Sequence, residues 1–589
     1  MIKIKKNKNK IGLFASLSMM IGAMIGVGIF VKNIGVFKAT NNNPYLVITA
    51  WVISAIITLL LALSYIEVTT TGNSKFGVSG YCDLTLGKKA GRFLKISQSH
   101  FYNGIIGVVL FMYAGELFLS MVDSAGKWGL LTDFNNQSPR SSILMTIGIG
   151  FIIFIIFLAI NSISLTVSKA FQSFSMIIKF LPIIIITIVG IIAGAMQYDQ
   201  SLFNTSKTVM NSMATKINQV NSFSTILVVL PSILFSFDSF LSFTSIQDKM
   251  KNPQKYTKIL LSIGVITVSI AYLLITLGMI FLGNGYAVLS INETLLKNVF
   301  KWSEQDAQKI SLAFKVIFNI FLLVSILGVA NAFMVVTISN HQGLIEDDLI
   351  FGSKLLKRWY NKKYQNLSEQ DKFYGLKSHI PGILSYLFVI VIFGMIIAAI
   401  SIGLGNDRVA DGITNFPTLF FFIIYALIPF SIFIKRIKVS LKNKDKKLTK
   451  LEIKEIKELS SVTNPTNEQA TRLTELKKKQ EAYIELFKLT PEHRISKFFM
   501  FIAPVASILV FVIFAYQGIY VYLIDPIRQA INNPEITTSA FGGFIEADTT
   551  IGGKGLPIYM LTVIYFGSLF LFFFIPWING ILKKRFPNV

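Results

Sequence analysis

A single cysteine, Cys82, stands in 589 residues, so neither an intramolecular disulfide nor a cysteine-based zinc site can form. The four histidines, His100, His341, His379 and His493, show no metal-ligand spacing. Redox and metalloenzyme chemistry therefore lack their residues, and no cofactor is expected. Charge is scarce as well: 15% of residues are charged, against about 25% in a typical soluble domain. Acidic residues are the scarcer sign, 31 against 56 Lys and Arg.

What fills the chain is apolar: 53% of residues are hydrophobic and the mean hydropathy is +0.60. Apolar runs of 18 or more residues recur from end to end, each long enough to cross a hydrocarbon core of roughly 30 Å. They fall near 11–31, 45–68, 97–121, 142–163, 174–196, 224–246, 258–283, 309–339, 383–404, 415–435, 498–523 and 557–580. Each is long and continuous, and lipid requires backbone groups to pair within the segment, so helix is the expected conformation. The fold class is an all-α polytopic membrane protein of about twelve transmembrane helices.

The net charge of +25 invites a nucleic-acid partner, but the lysines crowd into alternate loops. "KIKKNKNK" precedes the first run, "KKAGRFLK" follows the second, "DKMKNPQKYTK" the sixth and "KRIKVSLKNKDKKLTK" the tenth, while "KKR" lies close to the end. With alternating helices these all lie on one side, the positive-inside pattern, which puts both termini in the cytoplasm. The charge orients the chain in lipid and needs no nucleic acid. The basic start before an apolar run resembles a signal peptide, but no small-residue cleavage site is evident and further spans follow, so the first run is expected to remain a span.

Between about 436 and 497 the apolar signal gives way to lysine and glutamate. "LTKLEIKEIKELSS" and "ATRLTELKKKQEAYIELFKL" flank the Pro-containing turn "VTNPTNEQ", which predicts a cytoplasmic helical hairpin with a solvated charged face. The organisation expected is a membrane domain over 1–435, the insertion 436–497, and two further spans over 498–589 with an outer loop at 524–556. That loop is glycine-rich and suggests no function.

Two runs are interrupted. The first, "SLSMMIGAMIGVGIFVKN", carries Gly22, Gly26 and Gly28 at its centre. Glycine weakens a helix by about 1 kcal/mol relative to alanine and lets the backbone unwind. Gly22 and Gly26 also form a GxxxG pair, which is commonly a packing device. The sixth run, "ILVVLPSILFSFDSFLSFTSIQDKMKNP", holds Pro231, Asp238 and three nearby serines, Ser236, Ser239 and Ser242. An intramembrane carboxylate either faces a cavity or satisfies a polar contact. Interruptions at corresponding positions of two five-helix halves are the mark of inverted-repeat transporters, with spans one to five matching six to ten. Freed N–H groups at a half-helix start attract a carboxylate and freed carbonyls accept an ammonium, an arrangement suited to an amino acid.

With these residues in view, "IGAMIGVGIF" resembles the first-helix signature of the amino acid, polyamine and organocation (APC) transporters, and "FSFDSFLSFTSIQDKMKNPQK" resembles their sixth helix and following loop. The resemblance covers roughly residues 11 to 435 and reaches the last two helices by count alone. It implies a permease that moves amino acids by alternating access, driven by protons or by exchange with a second amino acid or amine. It places the amides of Gly26, Val27 and Gly28 on the substrate carboxylate and the carbonyls of Met24, Phe235 and Asp238 on its ammonium. Phe235 matches the family's gating aromatic, with Phe240 a second aromatic nearby; core or lipid-facing packing is the plain alternative among 51 Phe. Lys179, about one and a half turns into the fifth run, either snorkels to the cytoplasmic face or matches a fifth-helix lysine of many family members, whose ammonium takes the place that related sodium-coupled carriers give to a cation, which makes it the residue expected to serve ion or proton coupling.

This chain departs from the pattern where Ser239 replaces a common glycine, where Asp248–Lys249 stands for two acids, and where "ISNHQGLIEDD" lacks an arginine. A divergent branch is implied, so no one relative's substrate transfers. The expected partners are a small amino acid, membrane lipid, and a proton or counter-substrate. The rival readings are a membrane enzyme, for which Glu67, Glu116 and His100 show no triad or metal spacing, a channel, and a scaffold resting on the hairpin.

Overall fold

The computed structural model describes residues 12–26, 28–40, 43–72, 76–126, 139–163, 165–196, 222–281, 296–297, 301–364, 379–404, 412–462, 466–534, 537–538, 556–588. Among them, eleven helical segments are long and apolar enough to cross a membrane. The remaining apolar helix, Thr225–Phe237, is shorter because the chain breaks immediately after it. With that interrupted sixth span the order matches the twelve runs of the sequence, and the chain is an all-α polytopic membrane protein.

Helix ends differ from the apolar runs because hydropathy reads lipid thickness, whereas a helix continues until its backbone pairing fails. The third span runs from Lys88 to Gly126, with a π turn at Ser97–Tyr102. The fifth begins at Leu165 rather than near 174. The eighth extends over Glu304–Glu346, started by Ser303, whose side chain accepts the Asp306 N–H. The tenth continues to Lys442, past the boundary expected at 435. The eleventh runs over Phe499–Asn532 and is followed by a two-residue antiparallel ladder, Thr537–Thr538 with Leu556–Pro557; the glycine-rich part of the outer loop lies outside the described residues.

The third and eighth spans pack along the centre, flanked by the fourth and ninth respectively. The fifth packs on the seventh, and the second on the sixth, seventh and eleventh. Small residues permit the closest approaches: a Cβ on Gly190 of the fifth span would lie 2.4 Å from the Gly278 carbonyl oxygen of the seventh. Aromatic rings fill the wider spaces, with Trp51 edge-on to Tyr272 at 5.4 Å and its indole N–H donating to Asn33 at 3.0 Å.

The insertion holds two helices, Lys450–Ser461 and Asn467–Glu485, each started by a capping box, at Thr449/Glu452 and Thr466/Gln469. They are joined by Arg472–Glu455 at 3.0 Å and Lys479–Glu452 at 2.7 Å. The Lys479 ammonium and the Thr449 N–H hold the Glu452 carboxyl down at about 2. The chain then returns to the end of the second span, where buried Glu67 pairs with Arg436 and meets His493 Nε2 at 3.0 Å and the Ser496 N–H at 2.8 Å. Glu67 is therefore an anchoring carboxylate between the second and tenth spans and the returning strand of chain. Removing either charge would leave the other buried and uncompensated, a loss of about 3–5 kcal/mol.

Candidate functional site

The first span stops at Met24. Ile25 is extended, at φ −74° and ψ 106°, and its N–H closes the last turn on the Ile21 carbonyl at 2.8 Å. Helix resumes at Gly28, so the N–H groups that start the second half carry the positive end of its dipole. Val27, expected at this point, lies outside the described residues. The glycines divide their roles by what faces them. A Cβ on Gly22 would stand 2.9 Å from Gln172 Nε2 of the fifth span, and one on Gly26 would stand 2.6 Å from Val329 Cγ2 of the eighth. A Cβ on Gly28 would come no closer than 3.4 Å to Ser236 Oγ, with Phe235 Cε1 and Ser236 Cα at 3.7 Å. Packing and interruption thus coexist in one short motif.

The sixth span ends its α-helix at Phe237, turns through Asp238–Leu241, and continues as a 3-10 helix over Ser242–Lys249. The Asp238 N–H returns to the Phe235 carbonyl at 3.1 Å. Ser239 takes φ +76°, the left-handed region that glycine occupies more readily. The Asp238 side chain is buried and accepts three donors: the Tyr102 hydroxyl on Oδ2, and the Ser239 N–H at 2.9 Å and Tyr425 hydroxyl at 3.3 Å on Oδ1. Across the gap, the Tyr272 hydroxyl lies 2.7 Å from the Met24 carbonyl oxygen and 2.8 Å from that of Ser236. One side chain of the seventh span therefore ties together the two broken ends.

Between the breaks lies a cavity lined by Met24, Gly26, Gly28, Phe235 and Asp238, together with Tyr102. The structure brings these expected residues together, but Phe240 is not among them: it is fully buried against Phe422 and Tyr425, at ring separations of 6.2 and 5.9 Å. A second cavity shares Ala23, Tyr102, Ser239 and Phe333 with the first and extends past Gly77 and Ser245, toward the end of the molecule bearing the loop lysines. Phe235 stands at the opposite end of the site under the Lys32 ammonium, 4.8 Å from its ring centroid; Lys32 also donates to Thr414 at 3.1 Å.

Lys179 does not snorkel. Its side chain is 1% exposed and its ammonium donates to the Gly22 carbonyl, one turn before the first break. Its fifth helix starts earlier than the apolar run, so the residue lies deep in the bundle. His100 and His341 pack with ring centroids 5.0 Å apart and planes tilted by 41°, and among the described residues no group of three or more His, Cys, Asp or Glu could hold a metal.

Sequence reasoning missed Tyr102, Tyr272 and Tyr425. Their signal was a phenol inside an apolar run, since a buried hydroxyl seeks a partner. Nothing local indicates that the partners would be Asp238 and the broken-helix carbonyls.

A helical membrane protein with two interrupted spans facing each other across a small, partly polar cavity has the architecture of a secondary transporter. Residues 11–460 match the family described as Amino acid permease, and the chain belongs to that family, one of transporters and not enzymes. It is similar to the serine/threonine exchanger SteT of Bacillus subtilis (strain 168), 26% identical over 49% of this chain and 58% of that protein. It is also similar to the human cystine/glutamate transporter, 23% identical over 55% of this chain and 58% of that protein. An uncharacterized protein of Mycoplasma pneumoniae is 23% identical over 56% and 59%. The chain thus spans somewhat over half the length of the curated relatives it matches.

Proposed function

We propose that this protein carries amino acids across the cytoplasmic membrane by alternating access, with the substrate backbone held between the breaks of spans one and six. The observation that carries the reading is the joint placement of Gly28, Phe235 and Asp238 around the cavity, with Tyr272 bonded to both broken ends. In this reading the amides of Gly26, Val27 and Gly28 bind the carboxylate, and carbonyls of Met24, Phe235 and Asp238 receive the ammonium. The Met24 carbonyl already accepts Tyr272, so it would offer its second lone pair. Phe235 closes over the substrate from the side of Lys32, and Phe240 supports the sixth-span turn from behind.

The corresponding contacts of span three with four and of span eight with nine are what two related five-helix halves would produce, which supports the inverted-repeat reading. The lysine-rich loops support the reading that the second cavity, the insertion and both termini face the cytoplasm. Coupling to protons through Lys179 is the first reading of the driving force. Exchange is the second, favoured by the name of one relative, a serine/threonine exchanger.

Purified protein in liposomes, given a panel of labelled amino acids with an imposed pH gradient or with internal amino acid, tests both levels. Saturable, stereoselective uptake is expected. Flux that neither saturates nor distinguishes enantiomers would indicate a pore instead. In a Cys82-free background, a cysteine at position 450 should resist labelling from outside intact cells.

A further inference from the structure

On the outer flank of the bundle, away from the transport cavity, the start of the third span faces the twelfth across a groove of about 810 Å³. Its walls are aromatic and apolar: Phe93 on one side, and Phe570, Phe573 and Trp577 on the other. Its rim carries two cations, Lys89 and Arg92. These stand three residues apart on the helix Lys88–Ile96, on one face, with Phe93 one turn beyond Lys89.

A lipid-facing aromatic surface is ordinary for a membrane helix, and basic residues near a span end are ordinary too. What separates this place from both is the combination of concavity with uncommitted charge. The neighbouring cation, Lys95, is taken: it pairs with Asp83 and lies over the Phe76 ring at 4.8 Å. Lys583, at the end of the twelfth span, is likewise bound, 3.2 Å from Asp348 Oδ1. Lys89 and Arg92 have no acidic partner among the described residues, although both line the groove. The walls are also braced: Phe93 packs on Phe572 at 5.4 Å and on Phe573 at 5.6 Å, and the Ser97 hydroxyl donates to the Phe572 carbonyl at 3.2 Å.

We infer that this groove is a binding site for one anionic phospholipid, with its phosphate between Lys89 and Arg92 and an acyl chain along Phe570, Phe573 and Trp577. Charge complementarity fixes the occupant. A zwitterionic lipid brings a cationic headgroup to a rim that is already cationic, and a free phosphate has nothing to place against the aromatic walls. The arginine offers paired N–H donors suited to phosphate oxygens, while the lysine adds a point charge. Trp577, on the groove wall, is the residue type that sits where headgroup meets chain. The site stands apart from the transport reading and depends only on the chain residing in a bilayer.

The test uses the full-length protein in mild detergent, titrated with phosphatidylglycerol or phosphatidylcholine of the same acyl composition and read by native mass spectrometry. One tightly retained phosphatidylglycerol per chain is expected, with phosphatidylcholine retained at least about tenfold more weakly, given that each basic residue adds appreciably to anionic-lipid affinity. Lys89→Gln with Arg92→Gln should abolish the preference, while Lys354→Gln with Lys357→Gln, an equal loss of charge elsewhere, should leave it intact. Phe570→Ser with Phe573→Ser keeps the charges and should weaken retention of both lipids. Equal retention of the two lipids by the parent protein, or an unchanged preference in Lys89→Gln with Arg92→Gln, overturns the proposal. So does full competition by inorganic phosphate alone, which would make the site an ion site and not a lipid site. Melting temperature of each variant, measured without added lipid, separates loss of the site from loss of the fold.

Discussion

Tyr102 and Asp238 stand 136 positions apart and meet by a hydrogen bond from the tyrosine hydroxyl to carboxylate oxygen Oδ2. With Tyr425 and the Ser239 N–H completing the set, the Asp238 carboxylate is occupied by protein donors from the third, sixth and tenth spans. An intramembrane acid so engaged holds the turn in shape and has little capacity left for a substrate side chain.

Asp238→Asn should therefore leave substrate profile and pH response unchanged. One oxygen remains an acceptor and the tyrosine hydroxyls can rotate to accept from the new amide, so stability should fall by only about 1 kcal/mol. Asp238→Ala orphans both hydroxyls and should cost about 1–3 kcal/mol. Transport assays with lysine, arginine and neutral amino acids decide the matter: a selective loss of cationic substrates in Asp238→Asn would mean the carboxylate reads the substrate, and a general loss of pH dependence would mean it carries a proton.

At Ser239 the backbone conformation points to a stabilising change. A side chain in the left-handed region costs roughly 1–2 kcal/mol, partly offset because glycine loses about 0.5–1 kcal/mol more conformational freedom on folding. Ser239→Gly should raise thermal stability by up to about 1 kcal/mol, and Ser239→Val should lower it. A thermal-shift series in detergent checks both signs.

The two glycines at the first break make separable predictions. Gly28→Ala adds a methyl group at ordinary contact distance from Ser236 and Phe235, so the protein should fold normally. Because that methyl enters the space offered to substrate, binding should weaken by about tenfold or more. Gly26→Ala drives a methyl into Val329 and should destabilise by about 1–3 kcal/mol. Combining it with Val329→Ala should restore stability. A Gly28→Ala protein with normal binding would remove that residue from the site.

Much of this arrangement was legible in the sequence. Hydropathy located the spans because lipid imposes one length and one composition on each. The breaks showed because Gly26, Gly28 and Asp238 are expensive or weakening inside a helix. What stayed hidden depends on which helices become neighbours. Tyr272 reads as a phenol without a named partner until the seventh span is placed beside both breaks. Glu67 acquires a meaning when Arg436 and His493 arrive from positions far along the chain. Phe235 and Phe240, five apart and alike by type, part company because the helix unwinds between them: one ring faces the cavity and the other the tenth span.

Lys179 supplies the remaining prediction, on coupling. Its ammonium is buried and donates to the Gly22 carbonyl, so any change in its charge acts on the half of the first span that leads toward the lysine-rich end of the molecule. If that half moves to open the site, the Lys179–Gly22 contact must be remade in each cycle, and a proton gained or lost there would bias the movement. Lys179→Ala should remove the stimulation of uptake by a pH gradient, but it also leaves a void beside Gly328, whose added Cβ would lie 3.0 Å from the lysine Cε. Lys179→Met keeps most of that volume without the charge, so it should bind substrate and melt near the parent temperature while still losing the gradient response. Both variants are measured in liposomes, with an imposed gradient in one arm and internal amino acid in the other. If Lys179→Met responds to the gradient as the parent does, the lysine serves only to brace Gly22. If neither the parent nor the variant responds but internal amino acid accelerates uptake in both, exchange is the driving process, because counter-substrate, unlike a proton, can return the carrier through the same cavity without any change of charge at Lys179.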